Sequence, residues 1–203
     1  MSDYITSADV SSSLTLDGTT YASDDVDRAV AAANAAIDQL FGRSFAQDAE
    51  SSSRFYGVTR RRGGRVLEIH DLTRASEISF NVDADRDGTF ETTLTENVDF
   101  VLEPLNAELD GIPFERIRMV KGTLPTGARV AEVTGTFGWP DPVPPQIAAF
   151  AEVLAVKLVT RFREAPFGIV TAGADLGVAM RLARTDPDFP TLSAGLCKGA
   201  LIS

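Results

Sequence analysis

The residues of this chain with the clearest spacing for chemistry are Asp83, Asp85 and Asp87, followed directly by Gly88. Three carboxylates at alternate positions before a glycine match the first half of a calcium loop, because a hard cation needs several oxygens converging around a tight turn. The match then stops. The twelfth position, where such a loop places a bidentate glutamate, is Leu94, and no helical pattern flanks the segment. Glu91, at the ninth position, could add an oxygen. The other reading of Asp87-Gly88 is a polar hairpin turn that uses positive φ. Calcium at Asp83, Asp85 and Asp87 is therefore one expectation, and a chain without any cofactor is the other.

Catalytic equipment is sparse. The single histidine, His70, precedes Asp71, and a carboxylate beside an imidazole can orient a general base. No nucleophile elbow or reactive cysteine motif accompanies it. The sequence also lacks HExxH, paired CxxC, GxGxxG and P-loop patterns, so zinc and nucleotide chemistry lack their usual ligands. The expectation is a protein that is not an enzyme.

Five arginines, Arg54, Arg60, Arg61, Arg62 and Arg65, fall in one stretch without an Asp or Glu, in a chain of net charge −10. An acidic chain gains little phosphate affinity from counterion release, which argues against general nucleic-acid binding. The arginine run is either a solvated hairpin tip or a local contact with DNA or an acidic partner surface. A composition of 44% hydrophobic and 24% charged residues excludes wholesale disorder. The one cysteine, Cys197, cannot build an internal disulfide framework. The first residues, MSDYITSADV, lack the pattern of a secretory signal, and no run is long enough to span a bilayer. A soluble protein, cytoplasmic when made and with no membrane partner, is expected.

The elements that must position these groups come in the order helix, strands, helix. Thr6 and Asp9 form a capping box before a short helix around 7–14. Ser23 is the expected cap of a second helix that Gly42 terminates, with Val26, Val30, Ala33, Ile37 and Leu40 as its apolar stripe. From about residue 52 to 139 the hydrophobic period becomes two, as in Ile78, Phe80 and Val82. Turn signals recur at Gly63-Gly64, Asp87-Gly88, Asp110-Gly111 and Pro125 to Gly127. Roughly six strands are expected, in a small sandwich or barrel. Pro144-Pro145 opens a last long helix.

Ile147, Phe150, Leu154 and Leu158 line one face of that helix, and Val153 lies on a second apolar face. A helix apolar on most sides must be covered on most sides, so these five residues are the expected self-assembly interface. Beyond Ala165, glycines and prolines interrupt the pattern and leave room for a short helix around 176–183 at most. The end of the chain is apolar without a charged face, as expected of a segment ordered by a partner. The fold class expected is α+β. A helical bundle from the N- and C-terminal segments carries an inserted antiparallel β domain and an extended C-terminal tail. The boundaries are 1–50 for the first helices, 51–140 for the β domain, 141–164 for the long helix and 165–203 for the tail.

The order of these pieces resembles a known family. It comprises Tyr4-Ile5-Thr6, the helix end Ala36 to Phe45, a β insert with a DxDxDG turn, the segment Val133 to Pro140 and a Pro-Pro-started helix running to Arg161. Together they are similar to the head–tail connector (adaptor or head-completion) proteins of long-tailed bacteriophages, over most of residues 3–165. The resemblance implies a virion protein in the neck between head and tail. It implies a homo-oligomeric ring, commonly of twelve subunits, held between the portal protein and tail-proximal neck proteins. DNA would pass through the lumen without sequence-specific binding. It also implies that the C-terminal extension docks into the portal, here through Phe189, Leu192, Leu196 and Leu201. An acidic lumen wall would avoid trapping a sliding polyanion. The alternative, from a different class, is a non-enzymatic, calcium-stabilised β-domain binding module for a carbohydrate or protein ligand.

Overall fold

The computed structural model describes residues 3–14, 21–59, 64–164, 172–185 and 196. The chain is α+β and divides into two compact units, Met1–Ala46 with Pro142–Ser203, and Gln47–Asp141.

The first unit contains α1 (Ser7–Leu14), α2 (Ser23–Phe41), α4 (Pro145–Glu164) and α5 (Ala172–Thr185); α3 (Ala107–Asp110) is a single turn in the second. Thr6 and Asp9 open α1, with the Thr6 N–H and hydroxyl donating to Asp9 at 2.8 and 2.6 Å. These bonds hold the Asp9 carboxyl below its usual range. Ser23 is not the cap of α2. The helix begins one residue earlier, because the Ala22 carbonyl accepts the N–H groups of Asp25 and Val26. Gly42 ends α2 in the left-handed conformation (φ 64°), a region that costs a side-chain-bearing residue energy. Along α2, Val26, Val30, Ala33 and Ile37 are buried as their spacing requires. Leu40 is half-buried, and Phe41 takes the interior position edge to face with Phe45, whose ring also meets Tyr4. The Tyr4 hydroxyl bonds to Asp38 and accepts the Phe45 N–H, which fixes the segment before α1 to both ends of this aromatic cluster.

α4 packs against α1, α2 and α5, and α5 also packs against α2. Two expectations fail here. Ile147, Phe150, Leu154 and Leu158 are at most 2% exposed within the single chain, so they form its core and not a surface for other subunits. The tail is also not extended where it is described. α5 occupies 172–185, and its Ala179 and Ala183 are buried. Small side chains on that face let α5 pack closely, chiefly against α2 and to a lesser extent against α4.

The second unit is a nearly closed, barrel-like antiparallel sheet of seven strands: β1 (Ser52–Val58), β2 (Val66–Thr73), β3 (Ser79–Val82), β4 (Thr92–Leu94), β5 (Phe100–Glu103), β6 (Phe114–Met119) and β7 (Gly127–Phe137). The order is β4-β3-β7-β2-β6-β5, with β1 also on β7. β7 is the spine. It pairs with β1, with β3 over Ala131 to Thr134, and with the end of β2 at Thr136 and Phe137. Inward residues alternate along each strand as the pleat demands, and Leu72, Phe80, Ile117, Val133 and Phe137 are completely buried. Phe80 meets Phe100 edge to face at 5.1 Å. Register slips between Tyr56 and Val58. Gly57 stands there because a Cβ would lie 2.8 Å from the Ala128 carbonyl oxygen.

Candidate functional site

The loop from Asp83 to Glu91 joins β3 to β4, and among the described residues it is the place where acidic groups converge. Carboxylate oxygens of Asp83, Asp85, Asp87 and Glu91 all lie within 4.8 Å of one another. Asp83 is buried, and the other three are exposed. The sequence places the loop by pairing Val82 with Thr92 across the hairpin, and backbone hydrogen bonds then shape it. Asp83 accepts the N–H groups of Arg86 (2.6 Å) and Gly88 (2.9 Å), one on each oxygen. Asp85 accepts from the Asp87 N–H, Asp87 from the Thr89 N–H, and Glu91 from the Ala84 N–H. Arg86 and Gly88 both adopt positive φ, 68° and 96°. Bonds from Thr89 hold the Asp87 carboxyl below its usual range.

Four like charges this close repel one another, and a divalent cation would relieve that repulsion. The set could therefore hold a hard cation such as calcium through Asp83, Asp85, Asp87 and Glu91. It is not a helix–loop–helix site. Leu94, at the position of the missing glutamate, pairs with Phe80 in β4 and packs on the barrel core.

The other sequence-derived positions do not gather here. Arg54 is engaged within its own unit, 2.9 Å from Asp48 and stacked over Phe137 at 4.0 Å. Arg65 is exposed, and Arg60, Arg61 and Arg62 lie outside the described residues. Val153, at 45% exposure, is the one member of the expected α4 interface open to solvent. Of the tail residues, Leu196 is described, and its carbonyl accepts a hydrogen bond from Arg43 at 3.2 Å. Phe189, Leu192 and Leu201 lie outside the described residues. His70 and Asp71 fall on opposite faces of β2, with His70 exposed and Asp71 buried, so adjacency in sequence does not make a dyad. His70 instead meets the Tyr56 hydroxyl. That oxygen accepts the His70 backbone N–H and lies 3.1 Å from Nδ1, while burial pushes the phenol up to about 12.

Two surface features of the β unit escaped sequence reasoning. Arg129 lies over Phe55 at 3.9 Å and over Phe90 at 5.4 Å, with the two rings 5.4 Å apart. Leu105 and Leu109 are 72% and 87% exposed around the single turn of α3. Leu105 precedes the Asn106 cap and Leu109 lies within the turn, so the pair has no helical periodicity that the sequence could show. The aromatic stack joins residues from three separate segments, and no local pattern could reveal it.

No protein-family model matches the chain, and no curated protein is significantly similar to it in sequence.

Proposed function

We propose that the chain is a structural subunit of a bacteriophage neck, forming a ring that joins the portal protein to tail-proximal neck proteins and surrounds the DNA conduit. What supports the reading is the arrangement of elements along the chain. Residues from both chain ends share one helical unit, and a contiguous β unit is inserted between them, the order of pieces in the connector-like sequence pattern. In this reading α1, α2, α4 and α5 form a helical bundle and the segment after α5 docks into the portal. α4 stabilises the bundle and takes no part in the ring. Subunit contacts must then come from other surfaces. Among the described residues no helix is long and apolar enough to cross a membrane, which is compatible with a virion location.

The test is native mass measurement after the chain is mixed with the portal ring of the same phage. A complex with the symmetry of the portal is expected, together with loss of binding when residues 186–203 are removed and α5 is kept. A full-length chain that never binds the portal ring sinks the proposal. A second reading, a calcium-stabilised β module that binds a carbohydrate or protein ligand, is favoured by the four converging carboxylates alone. Its first requirement is a calcium-dependent rise in the unfolding temperature.

A further inference from the structure

We propose that copies of this chain join head to tail through their β units, with the Leu105–Leu109 knob of one copy seated on the Arg129–Phe55–Phe90 platform of the next. For closure into a ring this rests on the reading above; the contact itself is argued from two patches on the described surface.

The knob is rigid as well as exposed. Ala107 is completely buried beneath it, and the turn is tied by backbone bonds from Ala107 to Pro104, Asp110 to Asn106 and Ile112 to Ala107. Arg74 clamps the turn from the side. It makes a two-pronged pair with Glu96 at 2.7 and 3.0 Å, pairs with Glu108, and lies over the Phe114 ring at 5.3 Å. Two exposed leucines on a preorganised turn offer apolar area with little further backbone ordering on binding. Asp110 beside them is exposed and has no ion-pair partner among the described residues.

The platform is complementary. Phe55, 44% exposed, and half-buried Phe90 offer apolar area. Arg129 lies on them and is paired with no carboxylate among the described residues. By contrast, Arg54, Arg74, Arg116 and Arg118 all reach an Asp or Glu. A planar guanidinium fixed on a ring presents its N–H edge to one incoming carboxylate. The acidic loop next to Phe90 disfavours an extended polyanion such as a nucleic acid.

The two patches cannot meet within one molecule. Phe90 lies just before Thr92, the partner of Val82, whereas Glu96 lies just after Leu94, the partner of Phe80. Arg74 ties Glu96 to Glu108, between the two leucines. Knob and platform therefore sit at opposite ends of the β3–β4 hairpin, about 10 Å or more apart along the strands. Complementary patches that cannot meet within one copy allow a heterologous contact, which propagates from copy to copy and closes into a ring when the rotation allows, whereas a reciprocal two-fold pairing would stop at a dimer.

The experiment is oxidative cross-linking of the full chain carrying Thr89→Cys beside the platform and Asn106→Cys on the knob, in a Cys197→Ser background. A ladder of covalent oligomers is expected. Arg129→Glu, Asp110→Arg or Leu105→Glu with Leu109→Glu should each remove the ladder, and Arg129→Asp combined with Asp110→Arg should restore it. Absence of the ladder, or a ladder indifferent to these substitutions, overturns the proposal. A ladder from a chain that does not bind the portal ring would keep this contact and sink the neck reading. Portal binding without a ladder would do the reverse.

Discussion

Substitution of Asp83 tests what holds the β3–β4 loop together. Its carboxylate is 2% exposed and accepts two backbone N–H groups, from Arg86 at 2.6 Å and Gly88 at 2.9 Å. Hydrogen bonds to a charged acceptor contribute about 1.5–3 kcal/mol each, and Asp83→Ala leaves both donors without a partner. The loop is otherwise solvent-exposed, so water can reach part of what is lost and the lower end applies. The expected loss is about 3 kcal/mol. Asp83→Asn keeps one acceptor oxygen and should lose about half of that. Urea unfolding followed by circular dichroism measures both, with the midpoint falling and the slope unchanged. If the loop also binds calcium, saturation to a hundredfold excess over Kd adds about 2.7 kcal/mol. Asp85→Asn should remove that increment with little effect in metal-free buffer, because Asp85 is exposed and accepts only the Asp87 N–H. An Asp83→Ala chain as stable as the parent would refute the reasoning about the loop. A calcium-independent midpoint would refute the metal site.

Three other outcomes follow from the packing and charges. Removing residues 165–203 should destabilise the helical unit, because α5 covers α2 and α4; a truncated chain with an unchanged melting temperature would contradict this. Leu158→Ala should cost about 2–5 kcal/mol, while Val153→Ser should fall within about 0.5 kcal/mol of the parent, both read by urea midpoints. Arg118 hydrogen-bonds Glu103 at 2.5 Å and holds its carboxyl below the ordinary range, although slight burial opposes this. A depressed folded-state value means that the contribution is complete above the unfolded carboxyl range near ~4.3 and is lost as pH falls through the lower folded value. Glu103→Gln should therefore flatten the acid limb of the stability profile and leave its shape near neutrality unchanged.

The β unit was largely legible in the sequence because period-two alternation and turn residues are local signals. Ile78, Phe80 and Val82 mark β3, and Gly88 and Gly111 both take the positive φ that their turns require. The acidic loop was legible for the same reason, since its four carboxylates lie within nine residues. The helical unit was harder. The pattern of α4 says how many of its sides are apolar but not which neighbours cover them. One neighbour, α5, is interrupted by Gly173 and Gly177 and flanked by prolines, so propensity gave only part of its length. Ser23 was misplaced because serine is a favoured cap, yet Ser23 is already the first helical residue and the still-extended Ala22 (φ −67°, ψ 134°) holds the cap position. The platform of Phe55, Phe90 and Arg129 depends on strand pairing across long sequence separations and had no signature to read.

Because α2 and α4 are separated in the chain by the whole β unit, birth order on the ribosome matters. When α2 emerges, its greasy stripe has only α1 for company, and about a hundred further residues must be polymerised before α4 arrives. All seven strands, in contrast, are delivered in one uninterrupted stretch. The nascent polypeptide should therefore mature from the middle outward, with the β segment settled while the amino-terminal helices still wait. Chaperone dependence ought to peak in that interval and vanish once α5 has left the exit tunnel.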